Sequence, residues 1–265
     1  MQWTPSHLID KLTICVFSRN LFSLHYPIVE SIASTIKLGC NYLIGDASSD
    51  NTISIFNELS KYIPLTITKL QWRLDTEPGY KAAAIGIGTQ DTIAQCQTAF
   101  AYNLQASEIL DEDAITGILT QQELQPSQFK FRHFYGSMHR GGYAYHGYGE
   151  APRLFRAGTK FDTTDACYPN NYDGGYNFIH GHINRYGYCW HNTIVGKCFN
   201  KLQLYDNEKT SIEACQNFFE SGKEPQYQIY PRNAHPPCVQ HLIDLDNYDI
   251  DFSLNWFKNT YKSII

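Results

Sequence analysis

The chain has 265 residues, 43% of them hydrophobic, and a formal net charge of -5. That is enough apolar material for one large packed domain, and the negative balance argues against non-specific nucleic-acid binding. No apolar run approaches the roughly 18 residues a membrane-spanning helix needs, and Met1–His7 lacks the basic and apolar regions of a secretory signal. A cytoplasmic protein is expected, with peripheral membrane contact left open.

Leu12–Ser18 reads as a buried first strand, and Arg19-Asn20 as the loop that follows. From His25 to Lys37 apolar residues recur at helical spacing, and Gly39 stops the helix. Asn41–Ile44 is a second strand and Thr52–Tyr62 a helix with Ile53, Ile55, Phe56 and Leu59 on one side. Leu65–Leu70, rich in β-branched residues, is a third strand. Pro78-Gly79 precedes a helical segment, Tyr80–Gly88, and Ala99–Leu104 is a further strand. Ile109–Leu119 reads as a helix, or a short turn and a helix. Strands alternating with helices imply a parallel sheet with right-handed crossovers, so the first 120 or so residues form a nucleotide-binding type of α/β unit.

After Phe129 the texture changes. Residues 131–192 are dense in Tyr, His, Gly and Arg, and regular alternation is poor except at Gln128–Phe134, a strand added to the sheet. Residues 209–220 and 251–262 look helical. The composition change near residue 125 divides one domain into two halves, 1–125 and 126–265. The eight cysteines are scattered with no Cys-x-x-Cys pair, which argues against a zinc ribbon and predicts reduced thiols. No H-E-x-x-H or H-x-H-x-D cluster supports a metal-dependent hydrolase.

The most informative stretch is Gly45-Asp46-Ala47-Ser48-Ser49-Asp50-Asn51-Thr52, directly after the second strand. Ligands of open α/β sheets sit beyond the carboxyl ends of the strands, where an Asp can accept hydrogen bonds from a base or ribose. Ser49, Asp50 and Thr52 are also good helix caps, so a plain strand–turn–helix junction is the competing reading.

Asp46-Ala47-Ser48-Ser49-Asp50-Asn51-Thr52 is similar to the D-x-S-x-D-x-T turn of family 2 glycosyltransferases with the GT-A fold. Leu104-Gln105-Ala106-Ser107-Glu108 resembles the L-Q-A-D-E element of one bacterial-type subgroup. His133-Phe134-Tyr135-Gly136-Ser137 and Ala151-Pro152-Arg153-Leu154-Phe155-Arg156 also look like that subgroup. The resemblance covers about residues 11–200, and His235-Pro236-Pro237 carries only a loose echo. It implies an α/β fold of GT-A (Rossmann-like) type, a mostly parallel central sheet flanked by helices, with an irregular aromatic-rich C-terminal half. Residues 1–125 would bind a nucleotide sugar and 126–265 the acceptor. It also implies transfer of a sugar, with inversion, from a nucleoside diphosphate of UDP or GDP type to a hydroxyl of a glycan or glycoconjugate, assisted by Mn²⁺ or Mg²⁺. One departure matters: Ser107 stands where the pattern has its metal-binding acid, and Gln105 where a D-x-D would have its first Asp. Three alternatives are open: Glu108 alone holds the cation, catalysis is metal-independent, or the chain binds nucleotide or carbohydrate without turnover.

Such a transfer must hold the nucleotide, neutralise the departing diphosphate and deprotonate the acceptor. For the nucleotide the candidates are Ser18, Arg19, Asn20, Asp46, Lys81 and Gln105. For the diphosphate they are a cation on Glu108 with a histidine, His182 or its alternate His180, or else Arg185. Arg185 stands where the family often has a His. Arg153, paired with Arg156, brackets donor or acceptor oxygens or salt-bridges the sheet. For the base the candidates are Asp111, Asp113 and Glu150; the competing reading of Asp111-Glu112-Asp113 is charge at a helix N-terminus. Tyr143, Tyr145, His146, Tyr148, Tyr168, Tyr172, Tyr176, Tyr186, Tyr188 and Trp190 suit stacking on sugar faces, or packing under an irregular cap.

Overall fold

The structure, a computed structural model, describes residues 1–72, 81–135, 144–161, 169, 176–188, 235–242 and 248–263. Its centre is an eight-stranded sheet of order β3-β2-β1-β4-β7-β6-β8-β5. β1 (Leu12–Ser18), β2 (Asn41–Asp46), β3 (Leu65–Lys69) and β4 (Phe100–Asn103) are parallel. β7 (Ala144–Arg156) runs antiparallel to β4 and to β6 (Ser127–Tyr135). β8 (Asn177–Tyr188) is parallel to β6, and the short β5 (Glu108–Leu110) is antiparallel to β8 at the edge. One sheet therefore runs through both halves of the chain in the mixed α/β arrangement expected of a GT-A-like fold.

The alternation of β1 explains how the layers form. Leu12, Ile14 and Val16 join the large core cluster shared with Ile28, Val29 and Ile32 of α1 (Ile28–Thr35) and with Ile55, Phe56 and Leu59 of α2 (Thr52–Leu59). Cys15 points the other way, into a smaller cluster with Leu43, Ile93 and Ala101, on the face covered by α3 (Lys81–Ile93). Thus α1 and α2 lie on one face and α3 on the other. The connection direction reverses between β1 and β4, and such a switch point opens a crevice at the strand ends.

α3 approaches the sheet closely because two glycines let it. A Cβ on Gly45 of β2 would lie 2.0 Å from Thr92 Oγ1, and one on Gly88 would lie 2.2 Å from the Phe17 ring.

On the opposite face a buried carboxylate docks the C-terminal segment. Glu30 of α1 accepts hydrogen bonds from Tyr248 Oη and His241 Nε2, each at 3.0 Å. The His241 ring stacks on Trp256 of the C-terminal helix Ile250–Thr260, with centroids 3.9 Å apart.

Several boundaries differ from the sequence expectation. The helix expected from His25 starts at Ile28, because His25 has positive φ and Pro27 precedes the first turn; it ends in a tight 3-10 turn, Ile36–Leu38, capped by Gly39 in the left-handed region. Ile109-Leu110 belong to β5, and the helix begins only at Glu112 as α4 (Glu112–Leu119), with Asp111 as its N-cap. The poor regularity expected over 131–192 gives way to the long strands β7 and β8. Their aromatic, glycine and arginine content hides a period of two, and register shifts in β6 break it further. The helix expected over 209–220 lies outside the described residues.

Gly45→Ala should cost about 1–3 kcal/mol by overpacking against Thr92. A lower urea midpoint with unchanged m-value checks this; an unchanged midpoint contradicts the close α3–β2 contact.

Candidate functional site: a crevice at the switch point

The crevice between the carboxyl ends of β1 and β4 has a volume of about 150 Å³. One wall is aromatic and cationic. Phe17 and Trp72 stack with centroids 6.2 Å apart, and the Arg19 guanidinium lies 5.1 Å from the centroid of Trp72. The opposite wall is the turn after β4, contributing Asn103, Gln105 and Ser107. That turn is fixed through its backbone. Leu104 N donates to Cys15 O at 2.9 Å, Glu108 N to Gln105 O at 2.9 Å, and Tyr186 N to Ser107 O at 3.0 Å.

The acidic turn after β2 braces the Arg19 loop. Asp46 is fully buried; its Oδ1 accepts from Ser18 Oγ at 2.9 Å and Ser48 N at 3.2 Å, and its Oδ2 from Lys69 Nζ at 3.2 Å. Asn20, at φ 51°, donates its N–H to Ser48 Oγ at 2.8 Å and accepts from Ser49 N at 2.8 Å. Asparagine tolerates this left-handed conformation better than most residues. Asp50 accepts from Ser23 N at 2.9 Å and Thr52 N at 3.0 Å, and Thr52 Oγ1 accepts from Phe22 N at 3.1 Å. Burial opposes ionisation of Asp50, but bonds from Thr52 and Ser23 hold its pKa below the ordinary value. The motif side chains Asp46, Ser48, Asp50 and Thr52 thus tie residues 18–23 to 46–52. Arg19 is the residue this bracing presents, its Nη1 donating to Ala47 O.

Behind the β4 turn lies a buried ionic clamp. Glu108 and Arg153 are both fully buried. Arg153 Nε and Nη2 donate to Glu108 Oε2 and Oε1 at 2.9 and 2.8 Å. Arg185 Nε and Nη2 both donate to Oε1, at 2.9 and 2.6 Å, and Nη2 also reaches Gln105 Oε1 at 2.9 Å. The two guanidiniums lie 4.8 and 4.7 Å from the Phe131 ring centroid. Burial alone would raise the Glu108 pKa; the charges of Arg153 and then Arg185 override it and hold the carboxyl below its usual range.

The remaining candidates sit elsewhere. Asp111 Oδ1 caps α4 through Ala114 N at 2.9 Å, while Oδ2 accepts from His182 N at 3.0 Å and lies 3.3 Å from His182 Nδ1 and 3.6 Å from Arg132 Nη1. Burial, then the Arg132 charge, keep the His182 pKa below its ordinary value. Asp111 and Asp113 line a separate cavity of about 290 Å³ with Arg132 and His235. His182 is three residues along β8 from Arg185, the register partner of Glu108, a separation of about 10 Å at the strand rise. Glu108 and His182 are therefore not brought together. Glu150 is exposed and accepts from Gln128 Nε2 at 2.8 Å. Among the described residues Arg19, Gln105 and Ser107 reach the crevice wall, and Asp46 and Glu108 stand behind it. Tyr186 is buried, its Oη 2.7 Å from His235 Nδ1, and Tyr176 packs on Phe155. The side chains of Lys81, Tyr145, His146, Tyr148 and Tyr188, and residues Tyr143, Tyr168, Tyr172 and Trp190, lie outside the described set.

Sequence reasoning missed Phe17 and Trp72. Trp72 was legible as a large aromatic just past the carboxyl end of β3, where crevice walls form.

A divalent cation prefers carboxylate oxygens. Both oxygens of Glu108 are committed to guanidinium groups, Ser107 offers only a hydroxyl, and no group of three His, Cys, Asp or Glu converges among the described residues. The donor set does not fit a cation at Glu108.

No family model matches the chain, and no curated protein is significantly similar to it. Among solved structures, S. aureus TarS 1-349 is similar at 16% identity and TM-score 0.33, over 48% of this chain and 36% of that one. The same TarS fragment with UDP-GlcNAc gives 17% identity and TM-score 0.32, over 48% and 35%. The mannosyltransferase PcManGT from Pyrobaculum calidifontis, in complex with GDP-Man and Mn²⁺, gives 12% identity and TM-score 0.44, over 98% and 76%. The match thus spans little more than a third of the TarS fragment. All these scores lie below 0.5, and none bears on the chemistry of the crevice.

Glu108→Ala should cost about 3–5 kcal/mol by leaving buried Arg153 without its carboxylate. Glu108 titrates lower folded than unfolded, so its contribution is complete above the ordinary glutamate pKa of about 4.3 and is lost as pH falls through the depressed folded value. The stability gap between wild type and variant, from urea titrations, should stay constant from neutral pH down to about 5 and narrow only in stronger acid. A gap already closing at neutral pH contradicts the clamp.

Proposed function

We propose that the chain is a glycosyltransferase that binds a nucleoside-diphosphate sugar in the switch-point crevice and transfers the sugar to an acceptor hydroxyl with inversion. The observation that carries this reading is the convergence in one crevice of two loops whose sequences resemble family 2 motifs: Arg19, held by the acidic turn, and Gln105–Ser107. Trp72 and Arg19 supply a flat surface and a cation for the base, with Ser18, Asn20 and Asp46 fixing the loop beneath. Arg185, 21% exposed and bonded to Gln105 of the crevice wall, is the proposed partner of the diphosphate, with Lys81 as a second cation. Glu108 then orients Arg153 and Arg185 in place of holding a metal, and leaving-group charge is met by guanidinium. Of the three carboxylates considered as base, Asp111 is the one in contact with a histidine, His182, and it borders a separate cavity. Residues 126–265 form the acceptor half. The proposed donor is a UDP or GDP sugar, and the acceptor a glycan or glycoconjugate.

One observation favours a second reading. Among the described residues no carboxylate lines the crevice, so a relative that binds nucleotide or carbohydrate without turnover stands as the alternative.

Calorimetric titration with UDP and GDP in the presence of EDTA tests the binding step. Saturable binding of one of them is expected, weakened about tenfold by Arg19→Ala through loss of the cation and its stacking. Absence of binding by either nucleotide, with or without Mn²⁺, sinks the reading. Release of nucleoside diphosphate from UDP and GDP sugars then separates the two alternatives: turnover supports the transferase, and binding alone supports the non-catalytic relative.

A further inference from the structure

A groove of about 1040 Å³ runs along α4 and the start of β8, apart from the crevice. The helix can lie directly on the strand there because residue 117 is glycine: a Cβ on Gly117 would sit 2.5 Å from Ile179 Cγ2. Ile179 is buried, while its neighbours Phe178 and His180 are exposed, with ring centroids 5.7 Å apart at 81°. Phe178 is 39% exposed, a large apolar ring open to solvent in a groove wall. The end of the groove beyond α4 is anchored. Gln121 Oε1 accepts from Gln125 N at 3.0 Å, and Asn177 N donates to Pro126 O at 3.0 Å. Exposed Asn177, Gln122 and Glu123 add two neutral amides and a carboxylate to the lining. No Lys or Arg is among the described lining residues, so a phosphate group would meet no cation on these walls. At the other end, Asp113 borders both this groove and the cavity of about 290 Å³ that holds Asp111. The two spaces therefore adjoin at the first turn of α4.

We infer that this groove binds an extended neutral oligosaccharide, its chain lying along α4 and one sugar ring packed on Phe178. The C–H face of a sugar ring packs on an aromatic ring. Its hydroxyls need side chains that donate and accept together, as amides do, or that accept at two oxygens, as a carboxylate does. Phe178 supplies the first surface, and Asn177, Gln122 and Glu123 supply the second. Lys130 Nζ lies 5.3 Å from the Phe178 centroid, and Lys130 is itself exposed. The ring is therefore approached from solvent, and this charge disfavours a basic peptide in the same place. From Asp113 to Leu119 the helical wall is roughly 9 Å long at the helical rise, more than a single sugar ring needs. Phe178 is seven residues along β8 from Arg185, roughly 20 Å at the strand rise, so the groove is separate from the proposed donor site. Its continuity with the cavity at Asp111 makes it the bed of the acceptor chain. That role rests on the transferase reading above, whereas saccharide binding by the groove does not.

The test is an amide NMR titration of the wild-type full-length chain, without nucleotide, using cellohexaose, maltohexaose, chitohexaose and mannohexaose in turn, with hexalysine as the peptide control. Saturable shifts with at least one saccharide are expected at Asn177, Phe178, His180, Gln122 and Glu123. Phe178→Ala should weaken that binding about tenfold through loss of ring stacking. No shift with any of the four saccharides overturns the inference, as do shifts confined to the crevice around Arg19 and Ser107. Shifts at the groove with hexalysine and with no saccharide overturn it in favour of a basic peptide. These readings come from wild-type protein and hold even where the variant fails to fold. A parallel titration with UDP and GDP keeps the two ideas apart. Groove shifts with saccharide but no nucleotide binding remove the transferase reading and leave the groove, and the reverse removes the groove alone.

Discussion

Two guanidinium groups closing on one buried carboxylate tie the turn after β4 to the second half of this sheet. Glu108 follows β4 by one turn, Arg153 lies on β7 and Arg185 on β8, and Phe131 of β6 lies beneath both cations. Taking the charges of Glu108 and Arg153 out of water is expensive, and it is tolerated because both Glu108 oxygens accept charged N–H groups in good geometry. The parallel part of the sheet could pack without this cluster. The β4-β7-β6-β8 ladder joins that part to the extension, and the clamp adds a side-chain tie where β5, only three residues long, offers little ladder of its own.

The clamp also decides the character of the crevice. It immobilises the turn from Leu104 to Glu108 from behind, so that Gln105 and Ser107 face the opening while Glu108 does not. On the other side of the switch point, the acidic turn does the equivalent for Arg19. The Arg19 loop is held by bonds from the acidic turn and the β4 turn by backbone bonds and the clamp behind it, so the crevice between them is preorganised. On the proposed reading, aromatic and guanidinium surfaces meet a flat base and a diphosphate there, in place of a metal held on Glu108.

Much of this was legible in the sequence where one physical signal dominated. β1 and β2 were readable because short apolar runs sit between turn residues, β3 because of its β-branched residues, and the acidic turn because its residue types cap or bind. The direction of those side chains was not readable. Asp46 and Asp50 could equally face a ligand or fold back on Ser18 and Ser23, and local sequence does not distinguish an inward from an outward hydrogen bond. The identity of Glu108 as the centre of an ion cluster was hidden for a different reason. Its partners lie 45 and 77 residues away on strands whose alternation is masked by aromatics and glycines. Glu30 illustrates the same limit: a charged residue on the apolar side of α1 becomes intelligible only with His241 and Tyr248 from the far end of the chain. The helix start at Glu112 was misplaced because Ile109 and Leu110 fit a helical and a buried-strand pattern equally well.

The central claim is that guanidinium groups, and not a cation on Glu108, meet the diphosphate at the end of β4. Anomalous diffraction from crystals soaked with a nucleoside diphosphate and Mn²⁺ addresses it directly. The account predicts diphosphate density against Arg185 and Gln105, the base beside Trp72 and Arg19, and no manganese peak within coordination distance of Glu108. A manganese peak bonded to a Glu108 oxygen, with Arg153 and Arg185 swung away, would contradict it.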